Sequence, residues 1–338
     1  MLKNRNATLF TILLLTLLLT LLLNITLGQV QIPIQEILKA IFGEHSSKTT
    51  WDYIIINFRV PKAITAILVG VGLSISGLLM QTLFRNPLAG PYVLGLSSGS
   101  SLGVALVILS SSFFGFQVAD SGIGIILASC LGSFAVLFLV LIISQQLRDT
   151  ATILIIGLMF SSFTSAFVGV LTYFSSAEQL QKFTFWSMGN IGNLSWNNIF
   201  ILSICVFMGS ILSLFSLKSL DALLLGENYA KSMGLNIKKS RFIIIVATSI
   251  LAGSITAFAG PIAFVGLAVP HLAKLLFQTS NHKVLFWSTM LIGAIIVLFC
   301  DTVSQLPGLD FTLPINAITS MIGAPVVIWL LVRRKGIL

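Results

Sequence analysis

The chain has 338 residues, of which 9% are charged and 56% hydrophobic, and its net charge is +9. Typical soluble domains carry about 25% charged residues, so this composition excludes an ordinary water-soluble protein and predicts a polytopic membrane protein. The cations lie between apolar stretches without forming a basic face. Membrane orientation therefore explains the positive charge better than nucleic-acid binding does.

Apolar stretches of about 20 residues, the length that crosses a bilayer as a helix, recur along the chain. Several in the second half are interrupted by Gly and Pro, which membrane helices tolerate. We predict an all-α polytopic membrane protein with about ten transmembrane helices, folded as a single transmembrane permease domain over residues 1–338. The predicted spans are 8–27, 60–84, 92–112, 122–146, 151–174, 197–217, 241–259, 262–278, 284–304 and 314–332.

The distribution of Lys and Arg predicts the orientation. An even number of spans puts both termini on one side, and that side then holds fourteen of the nineteen cations. Because cations accumulate on the cytoplasmic side of membrane proteins, we expect both termini in the cytoplasm. The first span follows Lys3 and Arg5 as a signal peptide would, but its apolar part is long and has no Ala-x-Ala cleavage site, so we expect it to be retained.

One short amphipathic segment follows the first span. Residues 33–43 read PIQEILKAIFG, which places Ile34, Ile37, Leu38 and Ile41 on one helical face. The pattern predicts a short helix. It fits a helix lying on the outer membrane surface and an ordinary loop helix equally well.

A cytoplasmic loop over residues 218–241, KSLDALLLGENYAKSMGLNIKKSR, is the one long polar interruption between two apolar runs of the second half. Its five cations favour the cytoplasmic side. Asp221 can N-cap a short helix that Gly226 closes, and Glu227 can open a second helix that ends at Gly234. We therefore predict two short helices with glycine stops.

Apolar side chains recur within this loop, where a plain solvated connector would carry polar ones. They leave apolar surface beyond the bilayer, which favours a docking element for a partner protein over a simple connector. These residues are Leu223, Leu224, Leu225, Tyr229 and Met233, with the small Ala230 among them.

The patterns that enzymes use are missing from the predicted spans. We find no Ser, His and Asp arrangement, no paired carboxylates and no HExxH, and the chain has no GxxxxGK[ST] loop for ATP. Cys130, Cys205 and Cys300 are isolated in apolar runs, so neither a disulfide nor a metal site is supported. We predict no catalytic residue, no metal site and no cofactor in this chain.

Two ionisable residues lie near span ends. His271 could serve a proton or metal role, and Asp301 could hold an ion, because ionisable groups within membranes are often functional. No carboxylate lies at ligand spacing from His271, and a single acid near an interface can remain hydrated. Capping or packing roles are the preferred interpretation of both residues.

Three runs carry a more specific signal. The first is R-x-P-K/R, G-x-x-x-Q-x-x-x-x-N-P-L-A and P-x-x-L-G-x-S-x-G, carried by Arg59, Pro61, Lys62, Gly77, Gln81, Asn86, Pro87, Leu88, Ala89, Pro91, Leu94, Gly95, Ser97 and Gly99. The others are GPIAFVGLAVPHLAK from Gly260 and LPINAITSMIGAPVVIWLL from Leu313. Together with LGENYAKSMGLN in the loop, they resemble the permeases that import iron-siderophore complexes, haem and vitamin B12, the membrane subunits of type II ATP-binding-cassette importers.

The resemblance implies the type II importer architecture and a permease that carries an iron chelate (siderophore), with haem or cobalamin possible, across the cell membrane of a prokaryote. It also implies a homodimer, two ATPase subunits that bind ATP on the cytoplasmic side, an extracytoplasmic substrate-binding protein and surrounding membrane lipid. The alternative is a secondary transporter driven by an ion gradient, because the similar fragments at Gly90 and Gly260 hint at an inverted repeat. Such a transporter would need buried charges, and the spans contain almost none.

Residue roles follow from the same resemblance. ATPase coupling is expected of Asp221, Leu225, Gly226, Glu227, Ala230 and Gly234. A pathway between two copies, lined by the fifth and tenth spans, is expected to involve Thr150, Ser97, Ser98, Gly99, Gly323, Ala324 and Pro325, with Thr150 as the cytoplasmic gate. The binding protein is expected to dock on Arg59 and Lys62, with Gln305 in place of a third arginine. Snorkelling to lipid headgroups is the alternative for the two cations.

Overall fold

A computed structural model of the chain describes residues 2–44, 46–109, 122–146, 150–305 and 312–334. Within these ranges the chain is helical and has no strand, as predicted for the all-α class. A π-helical turn, Ile55–Arg59, joins α3 to α4, and a 3-10 turn, Pro91–Leu94, precedes α5. The helices are α1 (Leu2–Thr26), α2 (Ile34–Ile41), α3 (Thr49–Ile54), α4 (Val60–Leu83), α5 (Leu96–Ile108), α6 (Gly122–Gln146), α7 (Thr150–Tyr173), α8 (Ala177–Ser187), α9 (Trp196–Leu224), α10 (Glu227–Ser232), α11 (Ile237–Ala259), α12 (Val265–Phe277), α13 (His282–Ser304) and α14 (Ile315–Arg334).

Seven helical stretches among the described residues are long and apolar enough to cross a membrane, and they lie in α1, α3–α4, α6, α7, α9, α11 and α13. Three shorter apolar helices, α5, α12 and α14, occupy the remaining predicted spans. With 13 residues each, α5 and α12 reach about 20 Å at 1.5 Å per residue, short of a bilayer core of about 30 Å. The polytopic helical class is confirmed, and the number of ten crossings stays a prediction.

Helices α4, α11 and α13 form the centre of the bundle. The most apolar windows of these stretches are 78%, 67% and 61% buried, against 11% for α7 and 17% for α1. Glycines allow the central backbones to meet: a Cβ atom on Gly77 of α4 would overlap the Gly266 carbonyl of α12, and one on Gly70 would overlap Gly293 of α13. Small residues at such crossings are typical of packed membrane helices.

Helix α1 starts at the end of the bundle that carries residues 218–241, which we call the coupling end. Arg5 donates to the Phe277 carbonyl at 2.9 Å, where α12 ends, and His282, which starts α13, contacts Asp221 of α9. Helix α14 starts at the opposite, far end, where the Leu313 N–H donates to the Ser304 carbonyl at 2.9 Å.

The predicted amphipathic helix is present as α2, Ile34–Ile41. Ile34, Leu38 and Ile41 are exposed along one side, whereas Ile37 turns inward and is 2% exposed. Glu36 on this helix accepts from the backbone N–H of Ser47 at 2.6 Å and from Lys39 at 3.0 Å. The hydrogen bond from the Ser47 N–H lowers the pKa of the Glu36 carboxyl most, and the Lys39 ammonium lowers it further. The bond to Ser47 also ties α2 to the loop that follows it.

Candidate functional site

A short helix at the coupling end, α10, is bounded by two glycines as the sequence predicts. Gly226 precedes Glu227 with φ +118°, and Gly234 follows Ser232 with φ +82°. Glycine adopts positive φ without the steric cost that a Cβ brings, so these two positions set where α10 begins and ends. We call residues 225–234 the coupling element.

The coupling element presents apolar side chains to solvent and anchors itself through a small one. Leu225, Tyr229 and Met233 are 64%, 53% and 62% exposed. Ala230 is fully buried, and its carbonyl accepts from the Leu235 N–H at 3.0 Å. The predicted apolar surface is therefore present, except that Leu223 is buried in the last turn of α9.

The expected N-capping role of Asp221 is wrong. Helix α9 runs unbroken to Leu224, because no helix-breaking residue stands between Lys218 and Leu224, so Asp221 lies inside it. Its Oδ1 accepts from the main-chain N–H of His282 at 3.1 Å and lies 2.6 Å from His282 Nδ1. Asp221 therefore stabilises the first turn of α13, where a negative charge is favoured.

One further contact ties the coupling element to the bundle, and another ties the end of α9 to it. Glu227 Oε1 accepts from Arg241 Nη2 at 3.0 Å, and Arg241 in α11 is largely buried. Arg85, which follows α4, donates from Nε and Nη2 to the Leu223 carbonyl at 3.1 and 2.8 Å. The sequence predicted neither the Arg85 contact nor the His282 contact, since no local pattern links either residue to α9.

Asp301 at the far end is buried in a polar network. It is 1% exposed, and its Oδ1 lies 2.9 Å from Lys62 Nζ. Its Oδ2 accepts from Asn24 at 2.9 Å and from Gln305 at 2.8 Å. This burial agrees with the packing role that the sequence favoured for Asp301. His271 lies in the middle of α12, so it does not cap that helix.

The three predicted docking residues belong to this far-end region, but they do not form an exposed patch. Arg59 is 8% exposed and donates to the carbonyls of Ile25 at 2.7 Å, Thr26 at 3.0 Å and Val30. Gln305 is also buried. Lys62 keeps 17% of its side chain exposed and lines a cavity of about 390 Å³ together with Asn190, Asn193 and Asp301. Their docking role stays a prediction.

The predicted pathway residues occupy different surroundings. Gly99 packs against Gly132 and Val136 of α6, and Gly323 packs against Phe264. Ser97, Ser98 and Ala324 are half-buried and Pro325 is exposed. Thr150 opens α7, and its side chain lies outside the described part of the chain. Gly99 thus contacts a neighbouring helix and Gly323 contacts the residue that precedes α12. The pathway assignment stays a prediction.

The two similar glycine–proline segments meet inside the bundle. Each follows a long helix and leads into a helix of 13 residues, α5 or α12. The Tyr92 hydroxyl accepts from the Ile262 N–H at 3.4 Å, and a Cβ atom on Gly266 would overlap the Pro91 ring. Interrupted helices that meet in this way are typical of transporters built from inverted repeats.

Among the described residues, no group of three or more His, Cys, Asp or Glu side chains is placed to hold a metal ion.

Comparisons with known proteins show which family shares these sequence features. The family model of the FecCD transport family matches residues 15–333. The chain is 32% identical to the hemin transport system permease protein of Yersinia pestis, with 88% of each chain covered. It is 34% identical to the vitamin B12 import system permease protein of Klebsiella pneumoniae, with 82% of each covered, and 34% identical to the molybdate import system permease protein of Haemophilus influenzae, with 80% and 79% covered.

A solved structure agrees over nearly the whole chain. It is an inward-facing conformation of a metal-chelate type ABC transporter, with a TM-score of 0.84, 30% identity and coverage of 97% of this chain and 99% of that one. The match extends over the interrupted helices that had suggested a secondary transporter, and it decides against that alternative. The protein is a permease of ATP-binding-cassette importers and belongs to the FecCD transport family.

Proposed function

We propose that this permease carries an iron chelate of the siderophore class inward, with haem and cobalamin as the next candidates. We also propose that it works as a homodimer with two ATPase subunits at the coupling end and a binding protein at the far end, with both termini cytoplasmic. Relatives named for hemin and vitamin B12 support a large chelate as cargo, and the molybdate permease makes a small oxyanion the competing candidate.

The coupling element is the observation that carries the proposal. Three side chains that are more than half exposed, Leu225, Tyr229 and Met233, lie together outside the apolar bundle. Exposed apolar groups of this kind mark a surface that a partner covers. The ion pair of Glu227 with Arg241 holds this surface against α11, and the Arg85 contact to Leu223 holds the last turn of α9, which leads into it, against the end of α4. A force from an ATPase would thus reach the bundle.

A pathway between two copies is supported by the exposure of α7 and α14. Helix α7 is the least buried of the long apolar helices, and it carries Met159 and Phe163, each 62% exposed. Helix α14 exposes Met321 at 72% and Ile328 at 62%. These faces would be covered by a second copy, and Thr150 would then stand at the cytoplasmic mouth of the pathway.

Docking of a binding protein at the far end would involve Lys62. Its side chain is 17% exposed, whereas Arg59 and Gln305 are buried. A carboxylate of the binding protein that enters the polar cavity would compete with Asp301 for this cation.

Charge reversal at Glu227 tests the coupling role. Glu227→Arg would set two cations against each other at the 3.0 Å contact with Arg241, and like charges at such a contact cost several kcal/mol. We expect ATP-driven uptake into proteoliposomes to fall about tenfold or more, since 1.4 kcal/mol corresponds to tenfold. Gly226→Pro, which cannot adopt the positive φ, should act in the same direction.

The matched control is Glu178→Arg, which reverses one partner of an exposed pair with Lys182 on α8. It should leave uptake near the wild-type rate, because exposed pairs contribute little. Wild-type uptake by Glu227→Arg in an assembled complex with its ATPase would contradict the coupling assignment.

The cargo is tested by measuring ATP-dependent uptake of a ferric hydroxamate, a ferric catecholate, hemin, cyanocobalamin and molybdate with the partner binding protein present. We expect one of the ferric chelates to be taken up, and only when ATP is enclosed with the ATPase subunits. Uptake of molybdate alone would overturn the chelate assignment.

A further inference from the structure

A chain of side-chain contacts joins three helices at the coupling end. His282, in the first turn of α13, is fully buried. Its Nδ1 lies 2.6 Å from Oδ1 of Asp221 in α9, and its Nε2 lies 2.8 Å from Oγ1 of Thr82 in the last turn of α4. The imidazole therefore bridges α9 to the α4–α13 pair.

The donor and acceptor roles along this chain follow from its chemistry. A carboxylate can only accept, so Nδ1 of His282 carries a proton. In the neutral ring, Nε2 then accepts the single hydroxyl proton of Thr82, which is therefore directed to the ring and not to the nearby Leu78 carbonyl. The main-chain N–H of His282 donates to the same Asp221 Oδ1 at 3.1 Å. Asp221 thus receives two hydrogen bonds from one residue, which fixes both the ring and the helix end relative to α9.

The bridge connects a peripheral helix to the core. The most apolar window of α9 is 33% buried, whereas those of the α3–α4 stretch and α13 are 78% and 61% buried. Helix α9 leads directly into the coupling element, and α4 and α13 run from there to the far end, where Lys62 and Asp301 join them. The imidazole ring is rigid and is hydrogen-bonded through both nitrogens. A displacement of the last turn of α9 would therefore also move α4 and α13.

We propose that the Asp221–His282–Thr82 chain is the positioning device that transmits movement of the coupling element to α4 and α13, and through them to the far end. None of the three side chains belongs to the exposed apolar surface, so they act through the helices that they join. This inference rests on the proposed function, because it requires an ATPase that moves the coupling element.

The substitution Thr82→Val tests the inference, since valine keeps the shape of threonine and replaces its hydroxyl by a methyl group. The matched control is Thr65→Val on the same helix. Both side chains are buried, and each hydroxyl oxygen lies within hydrogen-bond distance of the carbonyl four residues earlier, at 3.0 Å for Thr82 and 2.8 Å for Thr65. Of the two, Thr82 is the one that contacts His282. Thr82→Ser, which restores the hydroxyl, is the rescue variant.

The readout is the change that ATP causes at the far end of the assembled complex. Asn193→Cys, exposed beside the far-end cavity, is labelled with a water-soluble maleimide after the native cysteines are replaced by alanine. We expect ATP with vanadate to change its labelling rate in the parent complex and in Thr65→Val. Thr82→Val should reduce that change about fivefold or more, as expected for a coupling of 1–3 kcal/mol, and Thr82→Ser should restore it.

Asp221→Asn provides a second variant that does not depend on a buried substitution, because the Asp221 side chain is 46% exposed. It should weaken the response in the same direction. Equal responses of Thr82→Val and Thr65→Val would overturn the positioning role while leaving the proposed function intact. Absence of any ATP-dependent change in the parent complex would instead refute the ATPase coupling, and the positioning role with it.

Discussion

Replacement of Lys62 by methionine should destabilise the bundle, because it removes the cation that faces a buried carboxylate. Asp301 is 1% exposed and lies 2.9 Å from Lys62 Nζ. Removal of one partner of a buried ion pair costs about 3–5 kcal/mol, since the other charge remains without compensation. Asn24 and Gln305 still donate to Asp301, so we expect the lower end of this range. A loss of about 3 kcal/mol lowers the ratio of folded to unfolded protein roughly 150-fold.

The measurement is the free energy of unfolding of the purified permease in a titration with sodium dodecyl sulfate, followed by circular dichroism. Lys182→Met is the matched control, because Lys182 pairs with Glu178 at the same type of distance, 3.0 Å, but on the surface. It should cost less than about 1 kcal/mol.

The double variant Lys62→Met with Asp301→Asn should recover most of the stability, since the uncompensated charge is then removed. If Lys62→Met costs no more than Lys182→Met, the buried network does not stabilise the far end. A normal free energy of unfolding combined with slower capture of the binding protein would instead favour docking as the main role of Lys62.

Two further predictions concern packing and the buried arginine. Gly77→Ala should lower the free energy of unfolding by about 1–3 kcal/mol because the added Cβ meets the Gly266 backbone, whereas Gly169→Ala, with no neighbour within 4 Å, should not lower it. Arg59→Gln should lower it by at least about 2 kcal/mol through lost hydrogen bonds to backbone carbonyls. An unchanged free energy of unfolding, together with slower and salt-dependent association with the binding protein, would instead indicate that Arg59 acts as a charge at the rim of the docking surface.

Helix positions could be predicted from the sequence because hydropathy and helical hydrogen bonding are local. All ten predicted spans correspond to helices, and Gly226 and Gly234 bound α10 as expected. The ends differ where a helix continues past the apolar run. Helix α9 extends to Leu224, beyond the predicted end at 217, because residues 218–224 retain helix-forming side chains and no breaker.

The family could also be assigned from sequence, since its motifs lie in short continuous runs. The exposed apolar surface of the coupling element follows from the same local logic, because Leu225, Tyr229 and Met233 recur every four residues around a glycine-bounded helix. The sequence also predicted that these side chains face outward, away from the bundle.

Only the tertiary structure decided which polar groups meet. Asp221 contacts His282, 61 residues away, and Asn24 contacts Asp301, 277 residues away. Arg59 and Lys62 are three residues apart and suggested a shared exposed patch, yet Arg59 turns to backbone carbonyls and Lys62 to Asp301. Within an apolar bundle, a buried charge must be paired or hydrogen-bonded. The choice of that partner depends on how the helices pack, which no local pattern records.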